Sequence, residues 1–191
     1  MVRVSDETSA DGGTQTEEPQ VALPPRKAWL FAIVAPIVLV ADLVTKQLAL
    51  SALEGEQPVR VLGGLFYLQI VRNPGAAFGM ATGMTWVLTL VATAVVIGII
   101  WVMPKLRSTG WAIGLGLVLA GALGNLLDRF FRAPGALHGH VVDFLSPFAP
   151  NGEAFPVFNI ADSSICVGGA LIVLVALLGR DYDGSRTAEK K

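Results

Sequence analysis

The stretch that decides the fold is TWVLTLVATAVVIGIIWVM, residues Thr85 to Met103, in which no side chain carries a charge. A second charge-free stretch, TGWAIGLGLVLAGALGNLL, runs from Thr109 to Leu127. As a helix, each is long enough to cross a hydrocarbon core of about 30 Å, which takes roughly 20 residues. Two further apolar stretches, Ala28 to Leu50 and about Asn159 to Gly179, meet the same requirement. The pattern predicts four transmembrane helices.

The composition agrees with a membrane protein. Of the 191 residues 53% are hydrophobic and 15% are charged, and the mean hydropathy is +0.60, whereas soluble domains carry roughly 25% charged residues. The formal net charge of -1 provides no basic face for a phosphate backbone, so we expect no nucleic-acid partner. The single cysteine, Cys166, excludes an internal disulfide and is expected to be a small buried residue of the fourth helix.

Charge asymmetry predicts the orientation in the membrane. With four spans both termini lie on one side, and nine of the fourteen Lys and Arg residues fall in the segments 1–28, 104–108 and 180–191. Such an excess marks cytoplasmic segments. Residues 1–27 hold five acids, three bases and no aromatic residue, which predicts a disordered cytoplasmic tail. We therefore expect a membrane domain over 28–180 and a second cytoplasmic tail over 181–191.

The two longer connections are predicted to lie outside the cell and to contain short strands. Residues 57–72 indicate a β-hairpin, with β-favouring runs Val59 to Leu62 and Leu65 to Val71 around a two-residue Gly63-Gly64 turn. Val141 to Leu145 and Phe155 to Phe158 are further extended segments. The predicted fold class is a membrane all-α bundle of four transmembrane helices with a small extracytoplasmic antiparallel β-sheet, which would form a cradle.

Two carboxylates are the main candidates for chemistry. Asp143 interrupts the apolar strand Val141 to Leu145, and Asp162 lies at the start of the fourth helix. If that strand packs against this helix, the two carboxylates face one another and share a proton, because two charges at that separation cannot both form cheaply. One then acts as an acid and the other as a base, which is the chemistry of an aspartic peptidase. Capping of the helix by Asp162 and a purely structural Asp143 remain the alternatives.

Other polar residues lie near the predicted membrane boundary. Asp42 and Lys46 are four residues apart, a spacing that places them on one helical face and suits an orienting ion pair. Three more are spaced to share a face at the end of the third helix, where a polar end-cap network would also explain them: Asn125, Asp128 and Arg129. Charged side chains at membrane depth are costly, so a partner or a function is expected for each.

Several other functions are compatible with the residue types. A proton or cation carrier could use Asp42, Lys46, Asp128 and Asp162 as a relay, although a relay should extend across the bilayer and these charges cluster toward one side. A non-catalytic anchoring module is also possible. Two weaker alternatives are a Ser163 or Ser164 nucleophile with a lysine base, and a metal site with three ligands: His138, His140 and Asp143.

Five motifs occur together in one order along the chain. They are Asp42-Leu-Val-Thr-Lys46, Val71-Arg-Asn-Pro-Gly-Ala-Ala-Phe-Gly79, Gly124-Asn-Leu-Leu-Asp-Arg129, Val141-Val-Asp-Phe144 and Phe158-Asn-Ile-Ala-Asp-Ser163. In order and membrane position they resemble the motifs of the lipoprotein signal peptidases, also called signal peptidase II. The resemblance spans about residues 29–180. The stretch 132–139 is a few residues longer than the family pattern, which leaves the loop over the site undefined.

The resemblance implies an aspartic endopeptidase of the bacterial inner membrane with its active site at the outer face. Its substrates would be prolipoproteins whose cysteine already carries diacylglycerol, and it would need no metal or other cofactor and act as a monomer among membrane lipids. It implies that Asp143 and Asp162 are catalytic. The residues that would bind substrate or support the site are Asn73, Asn125, Asp128, Arg129, Asn159, Asp42 and Lys46.

Overall fold

The computed structural model describes residues 24–75 and 84–186, and it contains four long helices and a three-stranded antiparallel sheet. In chain order the elements are α1 (Ala28–Leu53), β1 (Val59–Val61), β2 (Phe66–Asn73), α2 (Thr85–Val102), α3 (Thr109–Phe131), β3 (Val141–Pro147) and α4 (Ile160–Leu177). All four helices are long and apolar enough to cross a membrane. The predicted fold class is confirmed. Of the predicted tails 1–27 and 181–191, residues 1–23 and 187–191 lie outside the described residues, as do the motif residues 76–79.

Two helices continue past the predicted ends. α1 ends at Leu53 rather than Leu50, and α3 ends at Phe131 rather than Leu127. The predicted ends followed the loss of apolar side chains, whereas the backbone hydrogen bonds of a helix continue through polar residues. α4 is slightly shorter than predicted, because Asn159 is its N-cap rather than its first helical residue. Pro36 lies inside α1, as membrane helices tolerate.

α3 is the central helix of the bundle. Half of its most apolar window is buried, against 17–22% in the other three helices, whose remaining surface is available to lipid. Its glycines allow close contact with α4, since a Cβ at Gly121 would lie 2.3 Å from the carbonyl oxygen of Ala161. From the other side, a Cβ at Gly168 would lie 2.6 Å from the carbonyl oxygen of Gly114. Small residues therefore set the position of α4 on α3.

The sheet has the strand order β1-β2-β3, and β2 pairs with both neighbours in antiparallel register. The hairpin turn is longer than the predicted two residues, because Leu62–Gly64 form a short 3-10 segment in which Gly63 has φ +69° and Gly64 has φ +101°. Phe155 to Phe158 do not form a strand. From that segment Phe158 alone bridges to Leu145 of β3, and this contact places the start of α4 beside β3.

The elements divide into two ends of the bundle. The ends of α1 and α3, the start of α4 and the sheet lie together, and we call this region the sheet end. At the opposite turn end, the α2–α3 turn contacts both terminal segments: Lys27 N donates to Leu106 O at 2.7 Å, and Arg107 N donates to Tyr182 O at 2.8 Å. Trp111 Nε1 also donates to Arg180 O at 2.8 Å. The segment after α4 therefore packs against the bundle.

Candidate functional site

The site lies at the sheet end, where β3 meets the start of α4. The amide groups of Phe144 and Leu145 both donate to Phe158 O, at 3.1 and 2.9 Å. This pairing fixes the chain entering α4 alongside β3. As a result Asp143 of β3, which is 1% exposed, and the half-buried Asp162 of α4 line the same cavity.

Asn159 bridges the two carboxylates. Its side-chain Nδ2 donates to Asp143 Oδ1 at 2.7 Å, and its backbone N–H donates to Asp162 Oδ2 at 3.2 Å. Its Oδ1 accepts from the backbone N–H of Asp162 at 2.9 Å, which completes a capping box at the start of α4. One fully buried residue therefore ends the loop, begins the helix and fixes both carboxyl groups.

Two further asparagines bind the remaining carboxylate oxygens. Asn73, the last residue of β2, donates from Nδ2 to Asp143 Oδ2 at 2.9 Å. Asn125 of α3 donates from Nδ2 to Asp162 Oδ1 at 2.8 Å. Each of the four carboxylate oxygens thus accepts an N–H from the protein. The pair is held rigidly by groups from β2, β3, α3 and α4.

The electrostatics of Asp143 favour its neutral form. Burial raises the pKa of its carboxyl from 3.8 to about 7, and the negative charge of Asp162 adds to the rise. The hydrogen bonds from Asn73 and Asn159 and the charge of Lys46 act in the opposite direction and are outweighed. A carboxyl with a pKa near neutrality can release and take up a proton at physiological pH.

A buried ionic cluster lies directly behind the pair. Lys46 Nζ is 2.9 Å from Asp42 Oδ2 and 2.9 Å from Asp128 Oδ2, and all three side chains are at most 2% exposed. Lys46 also donates to Asn125 Oδ1 at 3.0 Å. Because that oxygen is occupied, the amide nitrogen of Asn125 must point toward Asp162. The cluster thereby orients a ligand of the carboxylate pair.

The same cluster joins the elements around the site. Asp42 Oδ1 accepts from the backbone N–H of Ala161 in α4 at 2.9 Å, and Asp128 Oδ2 accepts from Val142 N of β3 at 3.2 Å. The two carboxylates of the cluster therefore accept hydrogen bonds from the backbones of α4 and β3, the elements that carry the two site aspartates. The arrangement accounts for charged residues inside otherwise apolar helices.

A cavity of about 580 Å³ opens beside the two aspartates. Arg129 lines it, is 7% exposed and donates from Nη2 to Gly75 O at 2.8 Å. Its buried Nη1 has no hydrogen-bond partner among the described residues. The lining is otherwise largely apolar and includes Leu88, Val141, Phe155, Phe158, Ile165 and Cys166. An extended chain with apolar side chains and backbone carbonyls would match this mixture.

Sequence reasoning missed three contributors around the site. Arg132 is paired with Asp128, and its i,i+4 spacing from that acid was an available signal. Thr85 donates to Pro74 O, and the fully buried Thr89 donates to Leu137 O at 3.0 Å. These hydroxyls anchor loops on both sides of the site to α2. No signal in the apolar sequence of α2 indicated this role.

One expectation about the site was wrong, and two alternatives lack geometric support. Cys166 is exposed rather than buried, because its face of α4 borders the cavity instead of another helix. Within residues 24–75 and 84–186 no three His, Cys, Asp or Glu side chains come together as metal ligands, so the site with His138 and His140 is not supported. Ser163 Oγ donates to Asn159 O at 3.0 Å, whereas Lys46 belongs to the ionic cluster.

Fold and site together define a polytopic membrane protein with a carboxylate-lined cleft at one end of its helix bundle. A family model described as Signal peptidase (SPase) II matches residues 34–178. Because that match covers most of the chain, the protein belongs to the signal peptidase II family. It is a multi-pass bacterial membrane peptidase, and the resemblance seen in its motifs is confirmed. The findings do not favour the carrier alternative.

Individual relatives agree with this membership. The chain is 49% identical over 199 residues to a lipoprotein signal peptidase of Rhodococcus jostii (strain RHA1), covering 99% of this chain and 98% of that protein. It is 53% identical over 175 residues to a lipoprotein signal peptidase of Mycobacterium leprae (strain Br4923), covering 91% and 85%. Two solved structures of bacterial membrane enzymes, 27% and 28% identical, match with a TM-score of 0.68. Each covers 82% of this chain, and the match covers 92% and 97% of those chains.

Proposed function

We propose that this peptidase removes signal peptides from diacylglyceryl-modified prolipoproteins by hydrolysing the peptide bond before the lipid-bearing cysteine, with Asp143 and Asp162 as its catalytic pair. The observation that carries the proposal is the bridge made by Asn159, which holds one oxygen of each carboxyl group at 2.7 and 3.2 Å. The names of the relatives supply the substrate class. The raised pKa of Asp143 supplies the chemistry.

The two aspartates have different roles because their surroundings differ. Asp143 is almost fully buried, and its raised pKa of about 7 leaves a large fraction of its carboxyl groups protonated near neutral pH. Asp162 lies at the N-terminal end of α4, where the helix dipole favours a negative charge. Asp143 is therefore the general acid and Asp162 the general base. A single proton is shared within the pair at the start of each cycle.

The reaction needs no group beyond this pair and a water molecule. Asp162 removes a proton from the water as its oxygen attacks the carbonyl carbon, and Asp143 gives its proton to the carbonyl oxygen. The resulting tetrahedral diol collapses when Asp143 takes a proton back from a hydroxyl and Asp162 transfers its proton to the leaving amine. Arg129 lines the cavity, and its guanidinium has an N–H group at Nη1 without a hydrogen-bond partner among the described residues, so this side chain is suited to bind a substrate carbonyl.

The substrate suits the architecture because a signal peptide is an apolar helix and its cysteine carries two acyl chains. Both parts partition into the bilayer and approach the largely apolar cavity from the side. The excess of Lys and Arg at the turn end supports cytoplasmic termini, so the sheet end faces outward. Residues 28–180 then form the peptidase domain of a monomer, with the insert 57–72 as part of its cradle and cytoplasmic tails on either side.

The test uses purified full-length protein in detergent with a diacylglyceryl-modified precursor and with the same precursor unmodified. We expect cleavage of the modified form alone. Asp143→Asn and Asp162→Asn should each reduce the rate by roughly 10² to 10⁴, whereas Glu153→Gln, a change at an exposed acid, should leave it unchanged. Full activity in either aspartate variant would remove the pair from the mechanism. Equal cleavage of both precursors would refute the proposed specificity.

A further inference from the structure

One wall of the cavity beside the aspartates is formed by α4. It includes Asp162, Ile165, Cys166 and Val167. Cys166 follows Asp162 by four residues, so the two side chains lie on one face of the helix and about 6 Å apart along its axis. α4 begins at the sheet end, beside β3, and runs toward the turn end. Cys166 therefore lies deeper in the bundle than the carboxylate of Asp162.

The deeper part of the cavity is apolar and accessible. Leu88, near the start of α2, lines the cavity together with Ile165, Cys166 and Val167. The thiol of Cys166 is exposed, and Val167 is 59% exposed, so both side chains present free surface. Cysteine behaves as a small hydrophobic residue. Its small volume leaves space in the cavity that a longer aliphatic side chain at the same position would occupy.

Arg129 shows independently that the cavity suits a peptide. This residue lines the cavity and is 7% exposed, and its buried Nη1 has no hydrogen-bond partner within residues 24–75 and 84–186. A buried N–H group without a partner is costly, and a backbone carbonyl of a bound chain would satisfy it. Phe155 and Phe158 also line the cavity, with their rings in an edge-to-face contact and the centroids 6.2 Å apart. These rings offer apolar surface to the side chains of the same bound chain.

The spacing along α4 identifies the substrate position that Cys166 meets. An extended chain rises about 3.3 Å per residue, and its alternate side chains point to the same side. With the scissile carbonyl at the aspartates, the residue two positions earlier lies about 6–7 Å away. That length matches the rise of about 6 Å from Asp162 to Cys166. The signal peptide precedes the scissile bond and lies in the bilayer, so this earlier part of the substrate extends toward the deeper part of the cavity.

We infer that Cys166 determines which side chain the peptidase accepts at the third residue before the lipid-bearing cysteine, by leaving space for an aliphatic side chain that packs against Cys166, Leu88 and Val167. The inference rests on the proposed function, which places the scissile carbonyl at Asp143 and Asp162. The role requires the small volume of Cys166 and no reaction of its thiol. Cys166 is thus a specificity-determining residue that contacts the substrate away from the reacting atoms.

The first experiment compares kcat/KM for two diacylglyceryl-modified precursors that differ only in the third residue before the lipid-bearing cysteine, which is leucine or alanine. The wild type should prefer leucine. Cys166→Leu fills the space and should lower kcat/KM for the leucine precursor roughly tenfold to a hundredfold, whereas the alanine precursor should change by less than about threefold because it needs none of that space. Cys166→Ala keeps the space and should keep the preference. The matched control is Ala176→Leu, the same kind of enlargement at an exposed position of α4 outside the cavity lining, which should change neither value.

The two precursors separate this inference from a folding defect and from the proposed function. An equal loss for both precursors in Cys166→Leu, or an unchanged preference, would overturn the inference. A loss that follows the length of the acyl chains on the substrate, rather than its third residue, would assign this wall to the lipid and would also overturn it. Failure of the wild type to cleave either precursor would instead refute the proposed function, and the inference with it.

A second measurement enlarges the same position in protein that has already folded. Cys166 is the only cysteine in the chain, so methyl methanethiosulfonate modifies one known position: the sulfur gains a methylthio group through a new disulfide bond, and methanesulfinate leaves. The labelled wild type should lose its preference for the leucine precursor and regain it when a thiol reductant removes the label. In the control Cys166→Ala/Ala176→Cys, the same label lies outside the cavity lining and should leave the preference intact. An unchanged preference in wild-type protein that mass spectrometry shows to be fully labelled would overturn the inference.

Discussion

Replacing Asp143 with Asn should make the protein more stable at alkaline pH while reducing its activity by roughly 10² to 10⁴. The carboxyl is 1% exposed, and burial together with the charge of Asp162 raises its pKa from 3.8 to about 7. Well below its ordinary pKa of 3.8 the group is protonated in both the folded and the unfolded chain, so it costs no stability. As the pH rises toward 7 the unfolded chain ionises first, and stability is lost until the folded group ionises as well.

The magnitude follows from the size of the shift. Each pH unit of pKa difference corresponds to about 1.4 kcal/mol, so a rise of about three units costs the wild type about 4 kcal/mol at pH 8. The amide of the variant accepts from only one of the two asparagine donors, at Asn73 and Asn159, and the lost hydrogen bond costs about 1–2 kcal/mol. We expect a net stabilisation of about 2–3 kcal/mol at pH 8 and a net destabilisation of about 1 kcal/mol near pH 4.

The assay is chemical unfolding of Asp143→Asn and the wild type in the same detergent at pH 4, 6 and 8, alongside cleavage assays. Glu153→Gln removes an exposed acid and serves as the matched control, with no change in the pH dependence of unfolding. The reasoning is refuted if Asp143→Asn and the wild type lose stability in parallel between pH 4 and 8. That result would mean that position 143 ionises as freely in the folded protein as in the unfolded chain.

Three further changes test the surroundings of the pair. Asn73→Leu removes a hydrogen bond that holds the pKa of Asp143 down. The alkaline limb of the pH–rate profile should therefore move up from near pH 7 by roughly one pH unit. An unmoved limb would contradict the assignment of Asp143 as the general acid. Gly124→Ala places a Cβ 2.4 Å from Asp42 Oδ2. This contact should lower the free energy of unfolding by about 1–3 kcal/mol, which is measured as a lower thermal midpoint. An unchanged midpoint would mean that the Asp42 carboxylate can shift freely. Lys46→Met leaves the two buried carboxylates of the cluster facing each other without a cation. The free energy of unfolding, measured with denaturant, should fall by about 3–5 kcal/mol. A fall of less than about 1 kcal/mol would show that the cluster is not needed for folding.

The helices could be predicted because membrane burial imposes a strong and local pattern on the sequence. An apolar stretch of about 20 residues has few alternatives to a spanning helix, and α2 and α3 carry that pattern without a charged interruption until Asp128. The helix ends were less predictable, because backbone hydrogen bonding does not stop where apolar side chains do. The length of the hairpin turn was also missed, since Leu62 adopts a positive φ of 48° that its residue type does not favour.

The candidate site was only partly visible in the sequence. Asp143 stood out because a carboxylate is unexpected in an apolar strand, and Asp162 because a charge at membrane depth is costly. The spacing of Asp42 and Lys46 indicated an ion pair, but no pattern indicated that Lys46 also reaches Asp128 and Asn125. The asparagine ligands of the carboxylates were suggested by motif resemblance alone. Their individual bonds were not predictable, because an amide can face any neighbour that packing provides.

The sequence by itself determined that this protein spans a membrane four times. It also determined which acidic residues are so costly to bury that they require a partner or a function. Both follow from the free energy of placing single side chains in hydrocarbon. The tertiary structure decided which groups meet: close glycine contacts set α4 against α3, and Asn159 then lies between Asp143 and Asp162. The elevated pKa of Asp143 exists only in that arrangement, because it depends on burial and on a charge brought near from another element. Contacts between residues distant along the chain depend on how helices rotate and pack, and no local pattern specifies that rotation.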